Sequence, residues 1–319
     1  MNRRQLLRTC GAFAAVGTAG VAGCGSLSDV PVVGGEIAGD FGDIGRWMPD
    51  PGGFDPSLDH YRVFAQSPAR LAEVSDDALW EIVASSSIGF DNLTANQVEQ
   101  VVQADVSTDA QRRFRVYTGS FDPDWIGTTL ERRDFGQSLS YEGLRVYEPT
   151  GDVNRAYAVD SDTILRASHQ PADPTEDADP TGVLRTLVDA NRGEVERYAG
   201  VNQDMKTLSE TVPVEHRISV RTFERVTRSS PEEGAFRNQV AQGTSHTVDG
   251  EETDVTRVLV FRDEQDVIER EIVTYIEESQ QFATYLERPE YRLSDRTVVI
   301  KGTVATQALS LGGIGQGTN

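Results

Sequence analysis

The chain has 319 residues, a formal net charge of −21 at pH 7, 38% apolar residues and 25% charged residues. These fractions are ordinary for a globular protein and argue against a wholly disordered chain. Lysine occurs only at Lys206 and Lys301, whereas 28 residues are arginine. Because the net charge is strongly negative and the sequence shows no basic stripe, we expect no nucleic-acid partner and no peripheral binding to anionic lipid.

The first 23 residues have the pattern of an export signal. Arg3 and Arg4 precede an uncharged run from Gly11 to Gly23. Thirteen residues of helix rise about 20 Å, which is short of the roughly 30 Å hydrocarbon core of a membrane. A positive start followed by a short apolar core and small residues predicts a cleaved signal. The paired arginines resemble those of a twin-arginine signal.

The signal ends in Val21-Ala22-Gly23-Cys24, which resembles a lipobox. In such a sequence the chain is cut before a cysteine whose sulfur carries lipid, and the thiolate is the nucleophile. The alternative is an ordinary secretory signal with a chance cysteine. If Cys24 is the mature first residue, the mature chain carries a charge of −24 and no second cysteine for a disulfide. We therefore expect a lipid anchor that holds the protein at the extracellular side of the cell membrane.

Residues 24–59 predict a lipid-attached flexible tether. They are rich in Gly, Pro and Asp and keep no period of two or 3.6 residues. We expect Trp47 and Met48 within this segment to dock on the body or to touch the membrane interface.

Residues 60–200 predict a first α+β unit. HYRVFAQS, from His60, alternates like a strand, and Ser75 is placed to cap a helix. Thr94 and Gln97 form a capping box, which predicts a helix to about Ala104. Asn92 begins an N-x-T sequon, an acceptor sequence for glycosylation, although the cap explains the same residues equally well.

The rest of this unit alternates between strands and helices. Asp122 and Pro123 predict a helix start, and Thr181 opens another helix. The predicted strands are Arg113–Phe121, Tyr141–Glu148, Arg155–Val159 and Thr163–Ala167.

Residues 201–306 predict a second α+β unit, and 307–319 a flexible, glycine-rich tail. We predict a strand from His216, a helix over Pro231–Ala241, strands over Thr244–Val248 and Asp254–Arg262, a helix over Asp266–Ser279, and a hairpin within Tyr291–Val304.

The two units share one order of elements: strand, helix, strand, strand, helix. This order predicts an α+β fold with antiparallel sheets, helices on one face and two loosely repeated ferredoxin-like βαββα units. The alternative is one continuous sheet that spans both halves.

The phrases VYTGSFDPDWI, YEGLRVYE and AVDSDTILRAS, within Arg113 to Arg192, resemble a family of uncharacterised haloarchaeal lipoproteins exported by the twin-arginine route. The resemblance implies the fold and the location, and no chemistry. An acidic composition poor in lysine is also similar to that of proteins from extreme halophiles, where molar salt shortens the Debye length to about 3 Å and screens self-repulsion.

No catalytic motif stands out. There is no G-x-S-x-G, no H-E-x-x-H and no phosphate loop. Ser245 and His246 are neighbours on a predicted strand and would point to opposite faces, so we expect a surface histidine and no triad. Asp177 and Asp179 match half of a calcium loop, but Val188 stands where the acid at the twelfth position is needed, so they are weak metal candidates.

The sequence therefore favours a non-enzymatic cell-surface lipoprotein, a binding or assembly module without a cofactor. Its expected partners are the membrane, through the anchor, and another envelope protein or a small ligand. One alternative is an extracellular hydrolase that uses carboxylates as acid and base. Another is a solute-binding component of a transporter, which predicts two α/β lobes with parallel sheets around a cleft.

Replacing Cys24 by Ser removes the sulfur that lipid would modify. We expect the Cys24→Ser variant to appear in the medium, because nothing then holds the chain at the membrane. Immunoblotting of medium and membrane fractions measures this, with Cys10→Ser as the control inside the signal. A variant retained in the membrane fraction would contradict the anchor.

Overall fold

The structure is a computed structural model. It describes residues 41–55, 58–74, 93–106, 111–151, 153–171, 173, 175, 177–279 and 286–307. The predictions at Arg3, Arg4, Cys24 and Asn92, and the helix predicted from Ser75, lie outside the described residues.

The described residues form one antiparallel sheet of twelve strands, in the order β11-β12-β10-β9-β8-β1-β2-β3-β7-β6-β5-β4. The strands are β1 Tyr61–Gln66, β2 Val98–Val106, β3 Gln111–Gly119, β4 Phe135–Tyr141, β5 Leu144–Pro149, β6 Arg155–Val159, β7 Thr163–Gln170, β8 Arg217–Thr222, β9 Gln239–Asp249, β10 Glu252–Phe261, β11 Glu287–Ser294 and β12 Thr297–Ala305.

Six α-helices lie within the described residues. They are α1 Pro68–Val74, α2 Pro123–Glu131, α3 Pro180–Arg192, α4 Tyr198–Val201, α5 Gln203–Thr211 and α6 Glu269–Glu278. Helix α2 begins as predicted, since the Asp122 side chain accepts the backbone N–H groups of Asp124 and Trp125. None of these helices is both long and apolar enough to cross a membrane.

Both faces of the sheet carry a buried core. Val258 and Val260 of β10 belong to a large core with α3 and α5, whereas Leu259, between them, packs in a separate core with α6. Successive strand residues point to opposite faces, so these cores lie on opposite sides of the sheet. A third core, on the same side as α6, lies under α2.

Two predictions about the fold need correction. Helices cover both faces of the sheet, not one, because both faces carry apolar residues that must be buried. The ferredoxin-like repeat is not confirmed. Strand β8, which follows the predicted boundary near residue 200, pairs directly with β1, so one continuous sheet runs through both halves.

The described part of the predicted tether is folded. Phe41, Ile44, Trp47 and Met48 are each at most 3% exposed and lie in the large core with α3 and α5. The segment contains two short 3-10 helices, Gly45–Trp47 and Pro51–Gly53, and Trp47 ends the first of them. The Gly and Pro residues, from which we predicted flexibility, form tight turns. These turns bring the segment back to the sheet.

Two predicted helices are not formed. The capping box is present, because Thr94 N–H donates to Gln97 Oε1 at 3.0 Å, but it closes a single turn over Ala95–Gln97 before β2 begins. Alternating burial along VEQVVQADV overrides the cap. Likewise, Pro231 opens only a three-residue turn, and β9 begins at Gln239.

The buried N-terminal segment generates a stability prediction. Replacing Trp47 by Ala should lower the free energy of unfolding by about 3–5 kcal/mol, because it leaves a cavity in the core. Chemical denaturation of the soluble chain measures the loss. Val153→Ala is the control, since Val153 is 47% exposed. An unchanged midpoint for Trp47→Ala would mean that the segment does not belong to the core.

Candidate functional site

Alternation along the strands collects arginines on one face of the sheet. In β8, Ile218 and Val220 point into the large core, so Arg217 and Arg221 point to the other side. In β3, Phe114 and Val116 point into the same core, and Arg113 and Arg115 point away from it. Both strands therefore contribute these arginines to the face that carries α2 and α6.

The strand registers join these positions into one surface, which we call the arginine face. Arg62 lies opposite Arg221, and Arg115 lies opposite Arg166. Between β6 and β10, the described positions on this face include a single carboxylate, Asp105, which contacts Arg113 at 3.0 Å. The eight members are Arg62, Arg113, Arg115, Arg155, Arg166, Arg217, Arg221 and Arg257.

Two of these cross-strand pairs bring like charges directly together. The pairs Arg62 with Arg221 and Arg115 with Arg166 occupy opposite positions on neighbouring strands. Like charges in this arrangement destabilise a sheet by some tenths of a kcal/mol to about 1 kcal/mol. The fold therefore holds positive charge together at a cost in stability.

The first arginine cluster contains Arg62, Arg217, Arg221 and Arg257. Burial, and then repulsion from Arg257 and Arg62, lowers the pKa of Arg221 to about 10. Arg217 lies over the Phe64 ring at 4.7 Å and Arg221 over Phe223 at 5.0 Å.

Stacking leaves the edges of these guanidinium groups for hydrogen bonding. The Nε atom of Arg221 is buried and has no hydrogen-bond partner within the described residues.

The second arginine cluster contains Arg115, Arg155 and Arg166. Burial lowers the pKa of Arg166, and repulsion from Arg155 and Arg115 lowers it further. The buried Nε of Arg155 likewise lacks a hydrogen-bond partner in the described part of the chain. These three arginines lie beside the core under α2, because Tyr157, which lies opposite Arg166, belongs to that core.

His246 is buried next to the first cluster, so the predicted surface histidine is wrong. It is 2% exposed and lies opposite Arg217. Neither ring nitrogen has a hydrogen-bond partner among the described residues. Burial, and then the charges of Arg217 and Arg257, lower the pKa of His246 to about 3, so the ring is neutral near pH 7.

The arrangement is suited to binding anions. The guanidinium group presents five N–H donors in a planar fork that matches carboxylate, phosphate and sulfate oxygens. A bound anion would offset the repulsion within each cluster and accept hydrogen bonds from Arg155 and Arg221, whose Nε atoms lack other acceptors in the described chain.

The other predicted site residues do not converge. Asp179 caps α3 by accepting Gly182 N–H at 2.7 Å, and Asp177 is exposed. No group of three or more metal-ligating side chains occurs within the described residues. Ser245 lies opposite Ile218 of the large core, whereas His246 faces the other side, which confirms the expected separation of the two.

The arginine face was not predicted from the sequence. A basic stripe was expected only from charges that are close in sequence, whereas the eight arginines come from six strands. A signal was present in RFRVY and RISVR, where arginine or serine alternates with apolar residues. Arginine at every second position predicts a charged sheet face, but the register that joins the strands is not local.

The burial of His246 predicts how the stability of the protein depends on pH. The pKa of His246 is lower in the folded chain than the 6.5 of a free histidine, so the unfolded state binds a proton that the folded state does not. The neutral His246 ring contributes fully to the free energy of unfolding above pH 6.5. This contribution is lost as the pH falls toward 3, with a slope of up to about 1.4 kcal/mol per pH unit.

Between pH 6.5 and 4.5 we expect the wild type to lose more of its free energy of unfolding than the His246→Leu variant. Denaturant unfolding at each pH measures the difference. Parallel curves for the two proteins would show that His246 is not held neutral.

No family model matches the chain, and no curated protein matches it. Solved structures of TP0453 are similar. Crystal forms III and IV each have a TM-score of 0.48, 11% identity and 84% coverage of this chain, with 96% and 98% of their own chains covered. Crystal form I has a TM-score of 0.46 and 12% identity, with 83% of this chain and 96% of its own covered.

Proposed function

We propose that the protein is a non-enzymatic binding module that takes an anionic ligand on its arginine face. The single observation that carries the proposal is the collection of eight arginines and one carboxylate on that face, in a chain of net charge −21. A cluster of like charges that repel one another is typical of a ligand-binding site.

The location completes the proposal. Arg3 and Arg4 would direct export, and lipid on Cys24 would hold the chain at the outer side of the cell membrane. The acidic composition suits molar salt, in which the exposed carboxylates no longer repel one another strongly. The ligand would then be met at the cell surface, in the medium or in the envelope.

A hydrolase gains little support from the carboxylates. Burial raises the pKa of Glu215, as a catalytic acid would need, but the charged group that acts on it is Arg70, which lowers that pKa. The two parallel-sheet lobes that a solute-binding component would have differ from the single antiparallel sheet of the described chain.

One variant in each cluster tests the binding site. We expect Arg221→Gln and Arg166→Gln each to weaken binding of dextran sulfate about tenfold, since a charge-assisted hydrogen bond contributes about 1.5–3 kcal/mol. Isothermal titration calorimetry measures this at a salt concentration where circular dichroism shows folded protein. The matched control is Arg132→Gln with Arg228→Gln, because both arginines are exposed and lie outside the arginine face.

The same variants separate a ligand site from a structural role. If the arginines serve binding, Arg221→Gln should keep or raise the free energy of unfolding, because it removes repulsion from Arg62. Lost binding together with lost stability would indicate that the arginine holds the fold. Equal binding by all the variants and the wild type would refute the proposed site.

A further inference from the structure

A row of four charged residues crosses the arginine face in register. Directly opposite positions on β8, β1, β2 and β3 are occupied by Arg221, Arg62, Asp105 and Arg113. The charges along this row therefore run positive, positive, negative, positive. Side chains in opposite positions on antiparallel strands have Cβ atoms about 4.5–5.5 Å apart, so Asp105 is an immediate cross-strand neighbour of both Arg62 and Arg113.

The carboxylate lies at the most accessible part of the face. Arg62 and Arg113 are exposed, whereas the other six arginines of the face are partly buried. A ligand that arrives from solvent therefore reaches Arg62 and Arg113 directly, and it meets the negative charge of Asp105 between them. The Asp105 side chain is itself 32% exposed.

The ion pair of Asp105 with Arg113 is loose. Oδ1 of Asp105 lies 3.0 Å from Nε of Arg113, but this contact is not aligned as a hydrogen bond, and Oδ1 accepts no hydrogen bond within the described residues. A hydrogen bond to a charged group stabilises a fold, whereas a Coulomb contact between partly exposed charges contributes little. Asp105 thus acts on its neighbours mainly through its charge.

We infer that Asp105 is a specificity-determining residue of the arginine face, whose charge disfavours polyanions that place neighbouring anionic groups on Arg62 and Arg113. This inference rests on the proposed function and adds which anions the site discriminates against. Anionic groups on these two arginines would each lie beside the carboxylate, and like charges repel at this distance. A single anionic group that binds between Arg115 and Arg166 avoids the contact, since those two arginines lie in a different row of the register.

Replacing Asp105 by Asn removes the charge and keeps the shape of the side chain. We expect the Asp105→Asn variant to bind dextran sulfate about two- to fivefold more tightly than the wild type, which is the range for one pair of partly exposed charges. Isothermal titration calorimetry measures this at a salt concentration where circular dichroism shows both proteins folded. The gain should be smaller for inorganic sulfate, which brings one anionic group at a time.

Two further variants separate this local effect from a change in net charge. Glu194→Gln removes a carboxylate that contacts Arg192 at 2.7 Å, at the end of α3, which packs on the opposite side of the sheet. This variant should bind like the wild type. The double variant Asp105→Asn with Arg113→Gln should bind no more tightly than the wild type, because one positive and one negative charge are then removed together.

Four outcomes would overturn the inference. They are equal affinity of Asp105→Asn and the wild type for dextran sulfate, reduced affinity of Asp105→Asn together with lost stability, an equal gain in Glu194→Gln, and an equal gain for inorganic sulfate. If Arg221→Gln and Arg166→Gln still weaken binding of dextran sulfate, the proposed function survives such a result. If dextran sulfate binds neither the wild type nor Asp105→Asn, the inference and the proposed function fail together.

Discussion

The pairing of β1 with β8 is the contact on which the rest of the structure depends. Tyr61 and Thr222 are 161 positions apart, yet Tyr61 N–H donates to Thr222 Oγ1 at 3.2 Å. The Tyr198 hydroxyl lies 2.8 Å from the same oxygen, and its ring packs 5.1 Å from that of Tyr61. Closing so long a loop costs chain entropy, and burial of Val63 against Val220 in the large core helps to offset it.

The same register creates the arginine face. When Val63 lies opposite Val220, strand alternation leaves Arg62 opposite Arg221 on the other side. A slip of one residue would turn the valines out of the core, so the apolar face fixes the position of the charges. Burial of the apolar core beneath the arginines therefore offsets the repulsion between them. Arginine suits this role better than lysine, because its planar group stacks on Phe64 and Phe223 while it remains charged.

The sequence predicted those features that depend on near neighbours. Strands β1, β3, β6 and β7 follow from alternation, and α2 and α3 follow from their caps. The capping box was also identified, but the segment after it forms β2, in which Val102, Ala104 and Val106 are buried in the large core, because tertiary pairing overrides a local cap. Features that depend on distant pairing were missed: the strand order, the burial of Trp47 and the arginine face. The location of the proposed binding site belongs to this second group.

Net charge proved a poor guide to local charge. The total of −21 sums over the whole surface, whereas a ligand senses charges within about one Debye length, which is about 10 Å at 0.1 M salt and 3 Å at 1 M. Rising salt therefore removes the effect of distant carboxylates first. A fork of arginine N–H groups acts at hydrogen-bond distance and is screened far less, especially where the guanidinium is partly buried. An acidic surface and an anion site are compatible for this reason, and molar salt would make them more so.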